Sequence, residues 1–273
     1  MKKIKIDFVD FWGGFDKTNN YFYNLLKLNY DVIIDQNPDF IIFSIFGNLN
    51  KSYNCKKIFY TGENIAPDLT NCDYSFTFDY LDDPRNFRLP LYILYGGYYD
   101  LINKSIDDSL ANRRFCNFIV SNGNCKIRNE FFEKLSKYKR VDSGGRFMNN
   151  IGFPVRDKVK FQSDYKFSIA FENEAYRFEN PGYTTEKIFE PMKVNSIPLY
   201  WGNPVIDREF NTKSFVNYYD FNNIDSMVEY IIYLDKNDDE YISMLKEPWL
   251  VDNQIPYEYT EDNIKSFLYK IFD

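Results

Sequence analysis

Histidine is absent from all 273 residues of the sequence. That removes Ser-His-Asp and Cys-His nucleophilic machinery and every histidine-based metal site at once. A general base must then be Asp or Glu, with Lys, Tyr or Cys less suited. Cysteine is scarce: Cys55, Cys72, Cys116 and Cys125 are the four present, and no two form a Cys-x-x-Cys pair. Neither a zinc site nor a dithiol redox centre is indicated, and so few cysteines in so long a chain do not make a disulfide framework. Positive charge is in deficit, with 33 Lys and Arg against 40 Asp and Glu for a net charge of −7. Nucleic-acid binding demands the opposite, a clustered basic surface. No run approaches the ~20 apolar residues of a membrane span. The opening MKKIKIDFVD carries Asp7 and Asp10 inside any apolar run, so it reads as a strand and not as a signal segment.

What is present describes a globular protein: 44% of residues are hydrophobic and 27% charged. The length suits two domains better than one small core. The 24 Tyr and 27 Phe are read mostly as core. Strands are expected at 3–11, 31–35, 40–46, 57–60 and 74–78, with a turn at 12–15 and a short helix over 19–28. Such repetition predicts a first α/β domain over 1–105. Residues 103–114 read as a polar linker. A second α/β domain is expected over 115–257, opening on a strand at 115–120. Asn122 or Asn124 would then cap a helix burying Ile127, Phe131, Leu135 and Tyr138. A strand at 138–141 and a tight loop through Gly144 and Gly145 follow. Helices are expected at 225–236, with Met227, Val228, Ile231 and Ile232 inward, and at 260–272, capped by Thr260. Residues 258–273 are read as a C-terminal helix packing back on the first domain.

The most informative stretch is 166–202. Phe167, Ile169 and Phe171 alternate with Ser168 and Ala170, as in a strand covered by helices. A second strand runs from Ser196 to Trp201 and stops at Gly202. Between them, Gly182 precedes Thr184, Thr185, Glu186 and Lys187, which read as the first turn of a helix. Strand, polar loop, helix and strand make a βαβ unit. Its polar residues gather at the loop and helix start, where open α/β sheets bind ligands. A helix start also favours an anion, and Lys187 adds a full positive charge.

Three segments here, Phe-Glu-Asn at 171–173, Gly-Tyr-Thr-Thr-Glu-Lys at 182–187 and Ile-Pro-Leu-Tyr-Trp-Gly at 197–202, resemble the signature of the α1,3-fucosyltransferases, glycosyltransferase family 10. Tyr-Thr-Gly-Glu-Asn at 60–64 and Arg-Leu-Pro-Leu-Tyr at 88–92 extend the likeness upstream. The resemblance implies a GT-B architecture, two Rossmann-like α/β domains facing a cleft. It implies an inverting enzyme that moves L-fucose from GDP-fucose to a hydroxyl of a Gal- or GlcNAc-containing glycan, α1,3-linked. The alternatives are another linkage such as α1,2, another GDP-sugar, or an inactive glycan- or nucleotide-binding homologue. Animal members carry a membrane anchor, and its absence here predicts a soluble, cytoplasmic protein of bacterial or viral type. Three departures stand out: a longer loop over 174–181, Pro191 within a helix, and a short segment between Tyr92 and Arg113.

By the same resemblance, Arg128 and Lys187 are the phosphate-contacting pair, Tyr183 hydrogen-bonds a donor phosphate, Glu186 contacts ribose or sugar hydroxyls, and Asn173 is a further donor-binding position. Glu172 is also in the motif. Glu63 matches the catalytic base; taken alone, a Glu after a strand is an ordinary exposed loop residue. Trp12 and Phe15 either stack on acceptor sugar or pack in the core. No Asp-x-Asp lies at a strand end, and Asp82-Asp83 and Asp238-Asp239-Glu240 read as solvated loops. No cofactor or metal is therefore expected, and Arg128 and Lys187 must neutralise the leaving diphosphate. The expected partners are a GDP-sugar and an oligosaccharide acceptor.

Overall fold

The structure is a computed structural model that describes residues 1–174 and 181–273. The departure noted at 174–181 therefore falls, over 175–180, outside the described residues. The chain divides into two compact units, Met1–Leu94 with Pro256–Asp273, and Tyr95–Ile255.

The first unit carries β1 (Lys2–Val9), α1 (Tyr21–Leu26), β2 (Tyr30–Ile34), β3 (Phe40–Phe43), β4 (Lys56–Tyr60), β5 (Tyr74–Thr77), β6 (Asn86–Arg88) and α2 (Leu91–Leu94). The strands form one parallel sheet in the order β2-β1-β3-β4-β5-β6. Ile4, Ile6, Ile41, Ile42 and Ile58 are buried in it. Each such side chain contributes roughly 1.5–3 kcal/mol when fully buried, and the adjacent Ile41 and Ile42 show that β3 is covered on both faces.

The second unit carries β7 (Arg114–Phe118), α3 (Lys126–Tyr138), β8 (Val141–Ser143), α4 (Lys158–Gln162), β9 (Tyr165–Phe171), α5 (Glu186–Met192), β10 (Ile197–Trp201), β11 (Val216–Asn217), α6 (Ile224–Lys236) and α7 (Asp238–Lys246). Its sheet is also parallel, in the order β11-β10-β9-β7-β8. All seven residues of β9 are buried, the mark of a central strand covered on both faces. Its small residues Ser168 and Ala170 leave room for close packing. Lys166 is buried too, with its ammonium 3.1 Å from Asp238.

The last helix, α8 (Glu261–Phe272), belongs to the first unit. It buries Ile264, Leu268, Ile271 and Phe272, one helical face. The Phe272 ring lies 4.5 Å from that of Phe40, and Lys2 Nζ donates to the Phe272 carbonyl at 2.8 Å.

Several local expectations need correction. The first unit ends at Leu94 and not at 105, because residues 95–113 are tied to the second unit. Arg113 donates to the carbonyls of Val194 and Asn195 at 2.8 and 2.9 Å, and Asn195 donates to the Ser105 carbonyl at 2.9 Å. A segment bonded in this way is not a linker. Neither Asn122 nor Asn124 caps α3; Cys125 holds the N-cap position without a side-chain bond. The Asn122 side chain instead accepts from the Asn124 N–H at 2.9 Å, closing its own turn. Thr260 likewise donates backwards to the Tyr257 carbonyl and makes no side-chain cap bond. Residues 138–141 are the end of α3 and the start of β8, and Asp238-Asp239-Glu240 open α7 instead of a loop. On α6 the inward face is Ile224, Met227, Ile231 and Leu234, with Val228 and Ile232 only half-buried. Pro191 does sit inside α5, one residue from its end. There it forfeits one main-chain bond in a short helix.

Candidate functional site

The signature stretch folds into a braced corner of the second unit. At the end of β9 the carboxylate of Glu172 is wholly buried. It accepts from the Thr185 N–H and hydroxyl, each at 2.8 Å, and from Lys187 Nζ at 3.0 Å. Thr185 is the N-cap of α5 and accepts from the Lys187 N–H. The helix start therefore already holds an anion, and that anion is the protein's own. Burial drives the Glu172 carboxyl above its usual range, only partly offset by Lys187. Behind it, Asn203 donates to the Thr184 hydroxyl at 3.1 Å, while its N–H donates to the Tyr200 hydroxyl at 2.8 Å. Gly202 must be glycine: a Cβ there would lie 2.6 Å from Glu172 Cγ. Most of the signature thus builds the corner and does not face outward.

What faces outward is a cavity of about 500 Å³ at the C-terminal ends of β7, β8 and β9. Asn173, Glu186 and Lys187 line it, so the structure brings together three of the five donor-binding residues expected. Lys187 Nζ lies 3.0 Å from Glu172 and 3.9 Å from Glu186. Burial works against its charge, but the two carboxylates outweigh burial and hold it firmly protonated. Glu186 is also buried, yet Lys187 and Lys158 overcome that penalty and hold its carboxyl below the usual range. A fixed cation and a fixed anion thus sit side by side on the wall, suited to a phosphate and to hydroxyls respectively.

The other two expected residues are placed differently. Arg128 is fully buried and does not line the cavity. Its guanidinium donates to Asn173 Oδ1 at 2.8 Å and to the carbonyls of Asn122, Phe171 and Glu172 at 2.5, 3.2 and 3.4 Å. It clamps the end of β9 and aims Asn173 through its two terminal nitrogens, while its Nε–H has no hydrogen-bond partner among the described residues. Burial lowers its pKa from the usual arginine value. Tyr183 is likewise buried and outside the cavity lining.

Gly144 and Gly145 line the cavity, but the chain itself needs their lack of a side chain. A Cβ on Gly145 would lie 1.9 Å from the Val120 carbonyl oxygen, so the β7 and β8 loops could not approach. Sequence reasoning missed Arg146, Lys158, Gln162 and Glu190, all in the lining. One signal was available: Glu186 and Glu190 are four apart and share a helix face. Asp157, the N-cap of α4, was the other.

Glu63, Trp12 and Phe15 lie in the first unit. Glu63 follows β4 in a turn closed by its own N–H donating to the Thr61 hydroxyl at 2.9 Å. Its carboxylate is exposed and has no partner among the described residues. Trp12 and Phe15 pack edge to face at 5.1 Å, and Phe11 stacks on Phe15 at 4.0 Å. Both also line an open cavity of about 640 Å³ beside Asp7 and Lys17, with Trp12 47% exposed. Among the described residues no cluster of three or more Cys, Asp or Glu could hold a metal ion, and no helix is long and apolar enough to cross a membrane.

Comparison with known proteins bears on the whole chain. The α1,3-fucosyltransferase FucT N-terminal domain family matches residues 6–95, and the C-terminal family of glycosyltransferase family 10 (fucosyltransferase) matches 111–264. The α1,3-fucosyltransferase FucT of Helicobacter pylori is 32% identical over 295 residues, which take in 89% of this chain and 60% of that protein. The α1,3-fucosyltransferase B of Drosophila melanogaster is 35% identical over 129 residues, 42% of this chain and 28% of that one. The chain thus spans less than two thirds of the length of these relatives. A crystal structure of an α1,3-fucosyltransferase superposes with a TM-score of 0.86 at 30% identity, over 99% of this chain and 90% of that one. Others of similar fit, at TM-scores of 0.83, hold GDP-fucose and GDP. The two parallel-sheet units are accordingly of the GT-B class, and with matches of this extent on both of them the chain belongs to glycosyltransferase family 10, the fucosyltransferases.

Proposed function

We propose that this protein transfers L-fucose from GDP-fucose to a hydroxyl of a Gal- or GlcNAc-containing glycan, in α1,3 linkage and with inversion. The observation that carries this is the lined cavity of the second unit, where Asn173, Glu186 and Lys187 converge in a chain similar over 99% of its length to a fucosyltransferase solved with GDP-fucose. Lys187 meets the charge of the departing diphosphate. Glu186 accepts from ribose or fucose hydroxyls. Arg128 acts through Asn173 and the 171–172 carbonyls, holding the wall in place. Tyr183 sits at the entry to α5 beside the phosphate-binding residues. Glu63 takes the proton from the attacking acceptor hydroxyl, and its exposed carboxylate is free for that work. Trp12 and Phe15 offer a half-exposed aromatic surface to acceptor sugar. No metal is required, because the charge source is the protein's own lysine.

The deciding experiment incubates the purified protein with GDP-fucose, GDP-mannose or GDP-glucose and with lactose or N-acetyllactosamine, followed by linkage analysis of the product. Fucosylated product with an α1,3 bond is expected. Product only from another GDP-sugar overturns the donor assignment, and an α1,2 bond overturns the linkage. GDP binding with no turnover on any pair would mark a binding protein.

A further inference from the structure

A second cavity of the same unit shares no lining residue with the first. It measures about 420 Å³ and lies beside the edge strand β11, against the loop that follows it, α6 and α7. Asn217, the last residue of β11, lines it and is 5% exposed. Its Oδ1 has no hydrogen-bond partner among the described residues, and its Nδ2 donates to none of them. Buried amides are nearly always paired, and this one has an acceptor and two donors to offer. On the same wall, the Asp220 carboxylate accepts no hydrogen bond from a described residue, and withdrawal from water raises its pKa. Burial also raises the pKa of the Tyr230 hydroxyl, with Glu240, Tyr233 and Asp220 adding to it. The rings of Phe221 and Tyr230 meet at 5.5 Å with a tilt of 42° and form an aromatic part of the lining.

We infer that this cavity is a saccharide-binding site, separate from the donor cavity, that holds one pyranose unit of a neutral glycan. The charges decide the class of ligand. Lys213 on the rim opposes a cation such as a polyamine, while Asp220, Glu240 and Glu247 oppose a phosphate or a sialic acid. Among the described residues these carboxylates form no cluster that could hold a metal ion. A neutral ligand that both donates and accepts hydrogen bonds remains. Two vicinal hydroxyls do so: one donates to Asn217 Oδ1 while its neighbour accepts from Asn217 Nδ2. Asp220 and Glu240 accept from further hydroxyls, and Lys213 donates to one. The apolar C–H face of the ring packs on Phe221 and Tyr230. Apolar walls with a few convergent polar groups are the usual make-up of a small-molecule site. The inference goes beyond the transferase reading, since it needs no donor nucleotide and stands whichever sugar is transferred.

The test is saturation-transfer NMR on the full chain with lactose, N-acetyllactosamine, maltose and cellobiose as probes. Trp12→Ala is introduced first, so that the aromatic surface of the first unit does not contribute. Binding of at least one disaccharide should persist in that variant. Adding Asp220→Ala or Tyr230→Ala should then weaken it about fivefold or more, the loss expected when a hydrogen bond to a charged group, or a packed ring, is removed. Tyr230→Phe keeps the ring and should retain most of the binding. Asn217→Ala should weaken it as Asp220→Ala does; Asn217 is buried, so the other two variants decide the matter if this one fails to fold by urea unfolding. Sialyllactose and spermidine should compete poorly. Loss of all saccharide binding in Trp12→Ala alone, or unchanged affinity on adding Asp220→Ala and Tyr230→Ala, would overturn the site. Displacement of the disaccharide by spermidine at lower concentration would mark a cation site instead. Fucose transfer to lactose, measured in parallel on wild type, keeps the two readings apart: its absence sinks the transferase reading and leaves the binding result standing.

Discussion

Two carboxylates of this molecule sit at opposite extremes. Glu172, in the corner between β9 and α5, is wholly buried and holds Thr185 and Lys187 together. Glu63, in the turn after β4, has its backbone fixed by Thr61 and its carboxylate in solvent. A buried, fully engaged carboxylate fixes geometry and is a poor proton acceptor for an outside hydroxyl, because its lone pairs are already used. An exposed carboxylate on a fixed backbone can receive a proton at small reorganisation cost. On the proposed assignment, Glu172 belongs to a prebuilt wall of the donor cavity, whereas Glu63 offers an open carboxylate to the acceptor hydroxyl. The comparison can be broken in order of expected effect.

The largest effect belongs to Glu63. Glu63→Gln should cut kcat and kcat/KM together by ~10²–10⁴, the range typical of a general base, with GDP affinity unchanged by calorimetry. Near-normal turnover in that variant, with loss in Glu186→Gln, would move the base to the other unit. Next comes Glu172. Glu172→Ala leaves Lys187 without its buried counter-ion and should destabilise the protein by about 3–5 kcal/mol in urea unfolding. A change under about 1 kcal/mol would mean that the corner is not held by that carboxylate.

Lys187→Ala should weaken GDP by ~1.5–3 kcal/mol, since the charge is met before and during reaction. Unchanged affinity would place the phosphates elsewhere. Arg128→Ala should weaken GDP as well, through loss of Asn173 positioning, and should also lower stability, which separates it from Lys187.

A finer contrast lies in pH. The Glu186 carboxyl is depressed, so its stabilising contribution is present above the unfolded glutamate pKa and is lost as pH falls through its lower folded value. The Glu172 carboxyl is raised, so the folded state holds the extra proton and that term favours folding as pH falls. Urea midpoints followed down through the carboxylate range should therefore flatten in Glu186→Gln and steepen in Glu172→Gln. Slopes moving together would show that the two do not titrate as separate groups. The smallest expected effect is that of chelator: excess EDTA should leave most turnover intact, and a loss restored by Mn²⁺ or Mg²⁺ would refute metal independence.

Much of this was legible in the sequence where the signal is local. Alternation along 167–171 marked the central strand β9, and Thr184-Thr185-Glu186-Lys187 marked the start of α5, because period and capping depend on neighbours in the chain. Family likeness rode on the same continuous segments. The caps at Asn122, Asn124 and Thr260 misled, since a short polar side chain can close its own turn as readily as it caps the next helix. Arg128 shows the limit most clearly. Its partner Asn173 lies 45 positions away, so nothing near it in sequence announces that its guanidinium is buried. The division at Leu94 follows the same logic, being decided by bonds from Arg113 and Asn195. By itself the sequence determined two parallel α/β units and the position of the polar helix start, because backbone period and turn chemistry are local. Tertiary structure alone decided which charges are spent inside, as with Glu172 and Arg128, and which face the cavity, as with Lys158 and Glu190, because burial and pairing arise only when distant segments meet.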